Sequence, residues 1–201
     1  MGHPLLRNVV ALSLLLLPSL ARAEDKPALP NQVLGATLRI GGGGLFGPGT
    51  DQATNPIWAI GASLDVRLGE SIYLDLSGDS SAPTGSSAGT GAVLLQIDQE
   101  QAGIRAKLGP PAAHGLVGLG GGYARLHDRT GAAQGQGPLA YGLGGYETLV
   151  FGGGESAGYV GAELVYDQYF MPASATFRGS RVEGRVTFSY YFGGSEVSEC
   201  R

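Results

Sequence analysis

The stretch that decides the fold is RVEGRVTFSYYFGG, residues 181–194. Taken two at a time it separates into unlike sets. Val182, Gly184, Val186, Phe188, Tyr190 and Phe192 fall on one side, and Arg181, Glu183, Arg185, Thr187, Ser189 and Tyr191 on the other. A period of two is the mark of a β-strand whose two faces meet different surroundings. The fold then turns on which face meets water and what the other meets.

Seven further stretches read the same way. VLGATLRIG sets Leu34, Ala36, Leu38 and Ile40 against Thr37 and Arg39. IWAIGASLDVRLG sets Trp58, Ile60, Ala62, Leu64, Val66 and Leu68 against Ser63, Asp65 and Arg67. SIYLDLSGD sets Ile72, Leu74 and Leu76 against Tyr73, Asp75, Ser77 and Asp79. In LLQIDQEQAGIRAKLG, Ala102, Ile104, Ala106 and Leu108 oppose Gln101, Arg105 and Lys107, but Leu95 and Ile97 stand in the opposite phase. That switch predicts a bulge near Asp98 to Glu100 or a late strand start. GLVGLGGGYARLH and GPLAYGLGGYETLVFG are glycine-rich, with Arg125, His127 and Glu147 marking their polar faces. AGYVGAELVYDQYF sets Val160, Ala162, Leu164, Tyr166 and Phe170 against Glu163 and Asp167. No segment of the mature chain reads as a helix.

The connectors alternate in length. GGGLFGPGTDQATNP, SSAPTGSSAGT, DRTGAAQGQG and PASATFRGS follow the odd strands, and GES, GPPAAH and GGGES follow the even ones. In an up-and-down antiparallel barrel this gathers the long loops at one rim and the tight turns at the other. The predicted fold is therefore all-β, an eight-stranded antiparallel up-and-down barrel over residues 33–193.

This pattern resembles the small eight-stranded outer-membrane β-barrel proteins of Gram-negative bacteria, the group that includes the OmpA transmembrane domain and OmpX. Such barrels have short periplasmic turns and longer extracellular loops. Val186, Phe188, Tyr190 and Phe192 look like the aromatic-ended signal by which those barrels are taken up by the barrel-assembly machinery. The sequence departs from the group in continuing past that signal with GGSEVSECR. The resemblance implies a transmembrane barrel in outer-membrane lipid, with a surface, structural or interaction role and an extracellular partner at its long loops.

The ends and the composition fit. VVALSLLLLPSL (residues 9–20) after Arg7, closed by Ala21-Arg22-Ala23, predicts a signal peptide over 1–23, followed by a periplasmic lead over 24–32 and a C-terminal tail over 194–201. Charged residues are 15% of the chain, where ~25% is usual for a soluble domain. A net charge of −4 argues against a general nucleic-acid partner. The single Cys200 excludes an internal disulfide framework.

Alternation alone leaves two readings. A soluble periplasmic lipocalin-like barrel hides its apolar face around a ligand, and a membrane barrel turns that face to lipid. Small residues between the larger apolar ones, and aromatics toward the strand ends (Trp58, Tyr166, Phe170, Tyr190, Phe192), favour lipid and two interface girdles. The polar positions then face inward. They carry Arg39, Arg67, Arg105, Lys107, Arg125, Arg181 and Arg185 against Asp65, Asp75, Asp79, Asp98, Glu147, Glu163, Asp167 and Glu183. Eight strands enclose a space that side chains just fill, so near-balanced charges predict a paired, hydrogen-bonded plug with Arg preferred for its forked geometry.

Catalytic and binding motifs are sparse. His127, followed by Asp128, is the candidate base of a lipid-modifying enzyme, whereas His114 in PPAAHG reads as a solvated turn residue. GGGG at 41–44 lacks a following Lys-Ser/Thr, and GLGGGY at 118–123 lacks the third glycine of a dinucleotide fingerprint. Asp75, Asp79 and the Asp51 loop are carboxylates near a rim, read as arginine partners rather than metal ligands. No cofactor is expected.

Overall fold

A computed structural model describes residues 31–47, 56–83, 95–128, 130–153 and 156–194. The expected signal peptide, most of the lead, Asp51 and the tail with Cys200 lie outside the described residues. Eight strands follow one another: β1 (Asn31–Phe46), β2 (Ile57–Arg67), β3 (Ile72–Pro83), β4 (Gln96–Leu108), β5 (Ala113–His127), β6 (Ala133–Gly153), β7 (Ser156–Tyr169) and β8 (Ser180–Gly194). Each pairs antiparallel with the next, and β8 returns to β1 to close the barrel. The closing seam runs from Asn31 opposite Gly194 to Phe46 opposite Ser180. Closure leaves no unpaired strand edge.

The quoted stretch answers its own question in β8. Arg181, Glu183, Arg185, Thr187, Ser189 and Tyr191 are buried in the interior, while Val186, Phe188, Tyr190 and Phe192 are exposed on the outside. β2 and β7 agree: Leu64 and Leu164 point out, and Asp65 and Glu163 point in. Leu64, Leu164, Val186 and Phe188 thus lie on the outer surface and do not line an enclosed cavity, as a carrier of apolar cargo requires.

Glycine in the strands has a packing cause at two places. The Tyr191 ring lies on Gly35, and Tyr141 lies across Gly103 and Gly120. A Cβ on Gly120 would stand 2.6 Å from the Tyr141 ring. Tyrosine laid flat over a bare backbone fills an interior too narrow for side chains from every strand.

Two expectations about the connectors and register are corrected. The third loop is not long: β6 starts at Ala133, leaving only residues 128–132 between β5 and β6. Asp128 closes that turn by accepting hydrogen bonds from Thr130 N (2.8 Å), Thr130 Oγ1 (2.6 Å) and Ala132 N (2.9 Å). Those donors, the Thr130 hydroxyl first, hold its carboxyl below the usual aspartate range. The second correction concerns β4, which runs from Gln96 to Leu108 with no register shift against β3 or β5. No bulge lies at 98–100, and Ile97 points into the barrel with Gln99 and Gln101. The phase of the strand is constant, and its surroundings change.

Candidate functional site: the lumen and the long-loop rim

That change of surroundings defines the rim. Over most of the wall the outside is apolar and the inside polar. At the long-loop ends of β4, β5 and β6 the order reverses. Leu95, Ile97, Ala124, Leu126 and Leu139 are buried inside. Outside stand Asp98, Glu100, Arg125 and His127, the only acidic or basic residues that the described strands point outward. Arg125 Nη1 pairs with Glu100 Oε1 at 3.2 Å, with side chains 51% and 72% exposed. Apolar inside and charged outside is the pattern of a β-structure in water. Arg125 and Asp98 therefore leave the expected lumen network. Their sequence phase is that of Leu126 and Ile97 inverted, and only the third dimension shows that this rim is charged outside and apolar inside.

Below the rim, among the described residues, the lumen holds five buried cations and seven buried carboxylates, in three layers. The layer nearest the long loops is tight. Arg181, fully buried, donates from Nε to Asp167 Oδ2 at 2.8 Å and from both Nη atoms to Asp79 Oδ1 at 3.1 Å. It also contacts Glu183 Oε2 at 3.2 Å. Arg185 donates to Glu183 Oε1 at 2.8 Å and Asp79 Oδ2 at 3.0 Å. Neutral donors occupy remaining carboxylate oxygens: Gln101 Nε2 on Asp167 at 2.9 Å and Gln99 Nε2 on Asp79 at 3.1 Å. In this layer the third carboxylate is matched by these amides, so its balance is not ion against ion alone.

The middle layer gathers Arg39, Asp65, Asp75, Arg105 and Glu163. Asp75 Oδ2 accepts from Arg39 Nη2 at 2.8 Å and touches Arg105 Nη2 at 2.5 Å. Arg105 Nη1 reaches Glu163 Oε1 at 3.3 Å. The third layer lies toward the tight turns. Lys107 Nζ sits 3.3 Å above the Tyr191 ring, with Tyr73 and Tyr159 at 4.9 and 5.2 Å. A cation enclosed by aromatic faces is held by the ring quadrupoles. Glu147 is 3.7 Å from Lys107 Nζ and accepts from Ser189 Oγ at 2.5 Å.

His114 is placed differently from expectation. It belongs to β5, is buried, and its Nε2 lies 3.1 Å from Glu147 Oε2. The preceding prolines end in a short turn at residues 109–112, so the strand begins one residue before it. Arg67 stays at the tight-turn rim, donating to the carbonyls of Gly69 at 2.7 Å and Glu70 at 3.3 Å rather than joining the buried layers.

At the long-loop mouth residues 170–179 bury Phe177 completely in an apolar cluster with Leu126, Leu139, Tyr169 and Met171. The Tyr169 and Phe177 rings meet edge-on at 5.9 Å. Thr176 fastens the loop to Gln134 through N (3.1 Å to O) and Oγ1 (2.8 Å to Oε1). The only sequence signal was a single aromatic in the small-residue run PASATFRGS.

His127 gains a carboxylate other than the one expected. Its Nε2 is 3.7 Å from Asp98 Oδ2, while Asp128 is engaged in its own turn. Ser80 Oγ donates to Asp98 Oδ1 at 2.6 Å. The carboxylate therefore stands between hydroxyl and imidazole, whereas nucleophilic catalysis needs the imidazole on the hydroxyl. Among the described residues no cluster of metal-ligating side chains occurs.

The aromatics expected at the interfaces all face outward. Trp58, Tyr166 and Phe170 lie toward the long loops, and Tyr190 and Phe192 toward the tight turns. Of solved structures, Neisserial surface protein A (NspA) superposes with a TM-score of 0.57 at 9% identity, covering 80% of this chain and 96% of that one. The fold is that of a small eight-stranded outer-membrane β-barrel. The N-terminal barrel domain of Pseudomonas aeruginosa OprF matches at 0.42 and 12% identity, over 81% of this chain and 98% of that one. Ail of Yersinia pestis matches at 0.44 and 9% identity, over 80% and 99%. No family model matches the sequence, and no curated protein does. What this barrel shares with NspA is architecture, and its lumen is argued from its own residues.

Proposed function

We propose that the chain is a non-enzymatic outer-membrane barrel whose long-loop rim meets molecules outside the cell while the wall serves as anchor. The observation that carries this reading is the reversal of polarity at the rim. The wall presents Leu64, Leu164, Val186 and Phe188 outward, a surface suited to acyl chains. The rim presents Asp98, Glu100, Arg125 and His127, a surface suited to water and polar partners. A lumen filled by ion layers, with Phe177 buried at its long-loop mouth, supports an anchoring and contact role over a wide channel. The terminal strand, with Phe188, Tyr190 and Phe192 outward, supports delivery by the barrel-assembly machinery.

The test combines fractionation with surface labelling. In a Cys200→Ser background, Glu100→Cys is treated on intact cells with a membrane-impermeant maleimide. Membrane-bound protein that is labelled from outside is the expected result. Release of the mature protein in soluble form without detergent overturns the reading. The enzymatic alternative is addressed by His127→Ala: unchanged outer-membrane lipid composition is expected, and altered acylation would reinstate it.

A further inference from the structure

At the height of the Arg181 and Arg185 layer, the two neighbours of β8 differ. Toward β7, Arg181 stands opposite Asp167 and Arg185 opposite Glu163. Toward β1, Arg181 stands opposite Leu45, Glu183 opposite Gly43 and Arg185 opposite Gly41. The inward positions in the long-loop half of β1 and β2 are Gly41, Gly43, Leu45, Ile57, Ala59 and Gly61, and none carries a polar side chain. Glu183 and Arg185 lie over the bare backbone of Gly41, but they pair with one another, with Arg181 and with Asp79 of β3. The ion pairs and amide bonds of this layer thus run among β3, β4, β7 and β8. Of the six inward residues, Leu45 packs against the apolar cluster around Phe177.

The tight-turn half of the same two strands is tied into the lumen repeatedly. Arg39 donates to Ser63 Oγ and Asp75 Oδ2, both at 2.8 Å, with Glu163 slack at 3.8 Å. Thr37 donates to Ser189 at 3.0 Å, and Asp65 accepts from Tyr191 at 3.0 Å. A register shift between Gln32 and Leu34 turns Gln32 inward. There its amide donates to Tyr159 at 2.6 Å and its side-chain oxygen accepts from Lys107 at 3.3 Å. Glycine loses more backbone freedom on folding than other residues and leaves a strand nothing to pack. Four in a row, Gly41 to Gly44, therefore weaken the seam on the half that lacks polar anchors.

We propose that the long-loop half of the β1–β2 ribbon, residues 40–46 with 57–62, is a lateral flap. It parts from β8 along residues 41–46 while Arg39, Thr37 and Gln32 hold the rest of the seam. Opening uncovers Arg181 and Arg185 through the side of the barrel rather than through its mouth. The device is one-sided, because β7 is fastened to β8 at the same height by Asp167 on Arg181 at 2.7 Å. Simple fraying of the rim would loosen both neighbours of β8 alike.

Amide hydrogen exchange on the full mature chain in lipid nanodiscs tests this. The Gly41–Gly44 amides are expected to exchange about a hundredfold faster than those of Val165 and Asp167, at equal height on β7, and than that of Thr37 lower on β1. Equal rates at equal height overturn the proposal. Independently, Gly42 and Gly184 are exposed and directly opposite across the seam, a spacing within disulfide reach. In a Cys200→Ser background, Gly42→Cys with Gly184→Cys is compared in its oxidised and reduced forms. The bridge is expected to slow exchange at residues 41–44 about tenfold or more while leaving Val165 unchanged. Equal rates in the two forms overturn the proposal, because the strand would then open elsewhere than at the seam.

Discussion

Replacing Arg181 with methionine tests the ion layer where it is tightest. The side chain is fully buried and contacts three carboxylates: Asp167 at 2.7 Å, Asp79 at 3.1 Å and Glu183 at 3.2 Å. After its removal Arg185 still serves Asp79 and Glu183, at 3.0 and 2.8 Å. Asp167 keeps only the Gln101 amide, at 2.9 Å. Removing one partner of a buried ion group leaves uncompensated charge in low dielectric and costs about 3–5 kcal/mol, a 10²- to 10³-fold or larger change in the unfolding constant. Arg181→Lys keeps the charge and loses the fork, so about half of that cost is expected. Adding Asp167→Asn to Arg181→Met removes the stranded carboxylate and recovers about 0.5–3 kcal/mol. The assay is urea unfolding in lipid vesicles, read from the migration difference between folded and heated protein on detergent gels. A loss below about 1 kcal/mol for Arg181→Met, the magnitude of an exposed pair, would refute the idea of a dry, close-packed ion layer.

Three further outcomes follow from the same geometry. Leu64→Arg and Val186→Arg, both on the apolar outer wall, should each cost about 2–4 kcal/mol of folding in vesicles, while Arg125→Gln on the rim should stay within about 0.5 kcal/mol. Phe177→Ala, at a fully buried position, should lose about 3–5 kcal/mol and speed hydrogen exchange at the Ala175 and Thr176 amides, leaving the strand amides protected. Acidification should release the 128–132 turn. Because the Asp128 carboxyl is held below its ordinary range, its contribution is fully present above the ordinary aspartate pKa and is lost as pH falls through the lowered one. The amide shifts of Thr130 and Ala132 report that loss.

The strands, their order and the facing of the wall were legible because lipid-type and lumen-type surroundings alternate with the pleat, and Leu64 beside Asp65 or Phe188 beside Ser189 records both. The rim was not legible for the same reason. Where charged residues turn outward and apolar ones inward, alternation persists with its meaning inverted, so Ile97 looked like a register error and Arg125 like a lumen charge. GAAQGQG read as loop because its glycines and glutamines lack an apolar face, yet Ala133 to Gly137 continue β6 at the rim. His114 was hidden by the prolines before it. Phe177 escaped because loop composition says nothing about what a single aromatic will cover. The lumen's arginine-carboxylate chemistry was visible in residue types, but its partition into tight, slack and aromatic layers depends on distances that no periodicity encodes.

The most direct test of the whole account is a depth and environment scan in bilayers. Nitroxide labels are placed singly at Leu164, Phe188, Glu100 and Arg125 in a Cys200→Ser background, and their collisions with oxygen and with a water-soluble nickel chelate are compared. Labels at 164 and 188 should respond to oxygen, as sites among acyl chains do, and labels at 100 and 125 to nickel. Nickel-accessible labels on the wall, or oxygen-dominated ones on the rim, would contradict the reversal of polarity from which the function is argued.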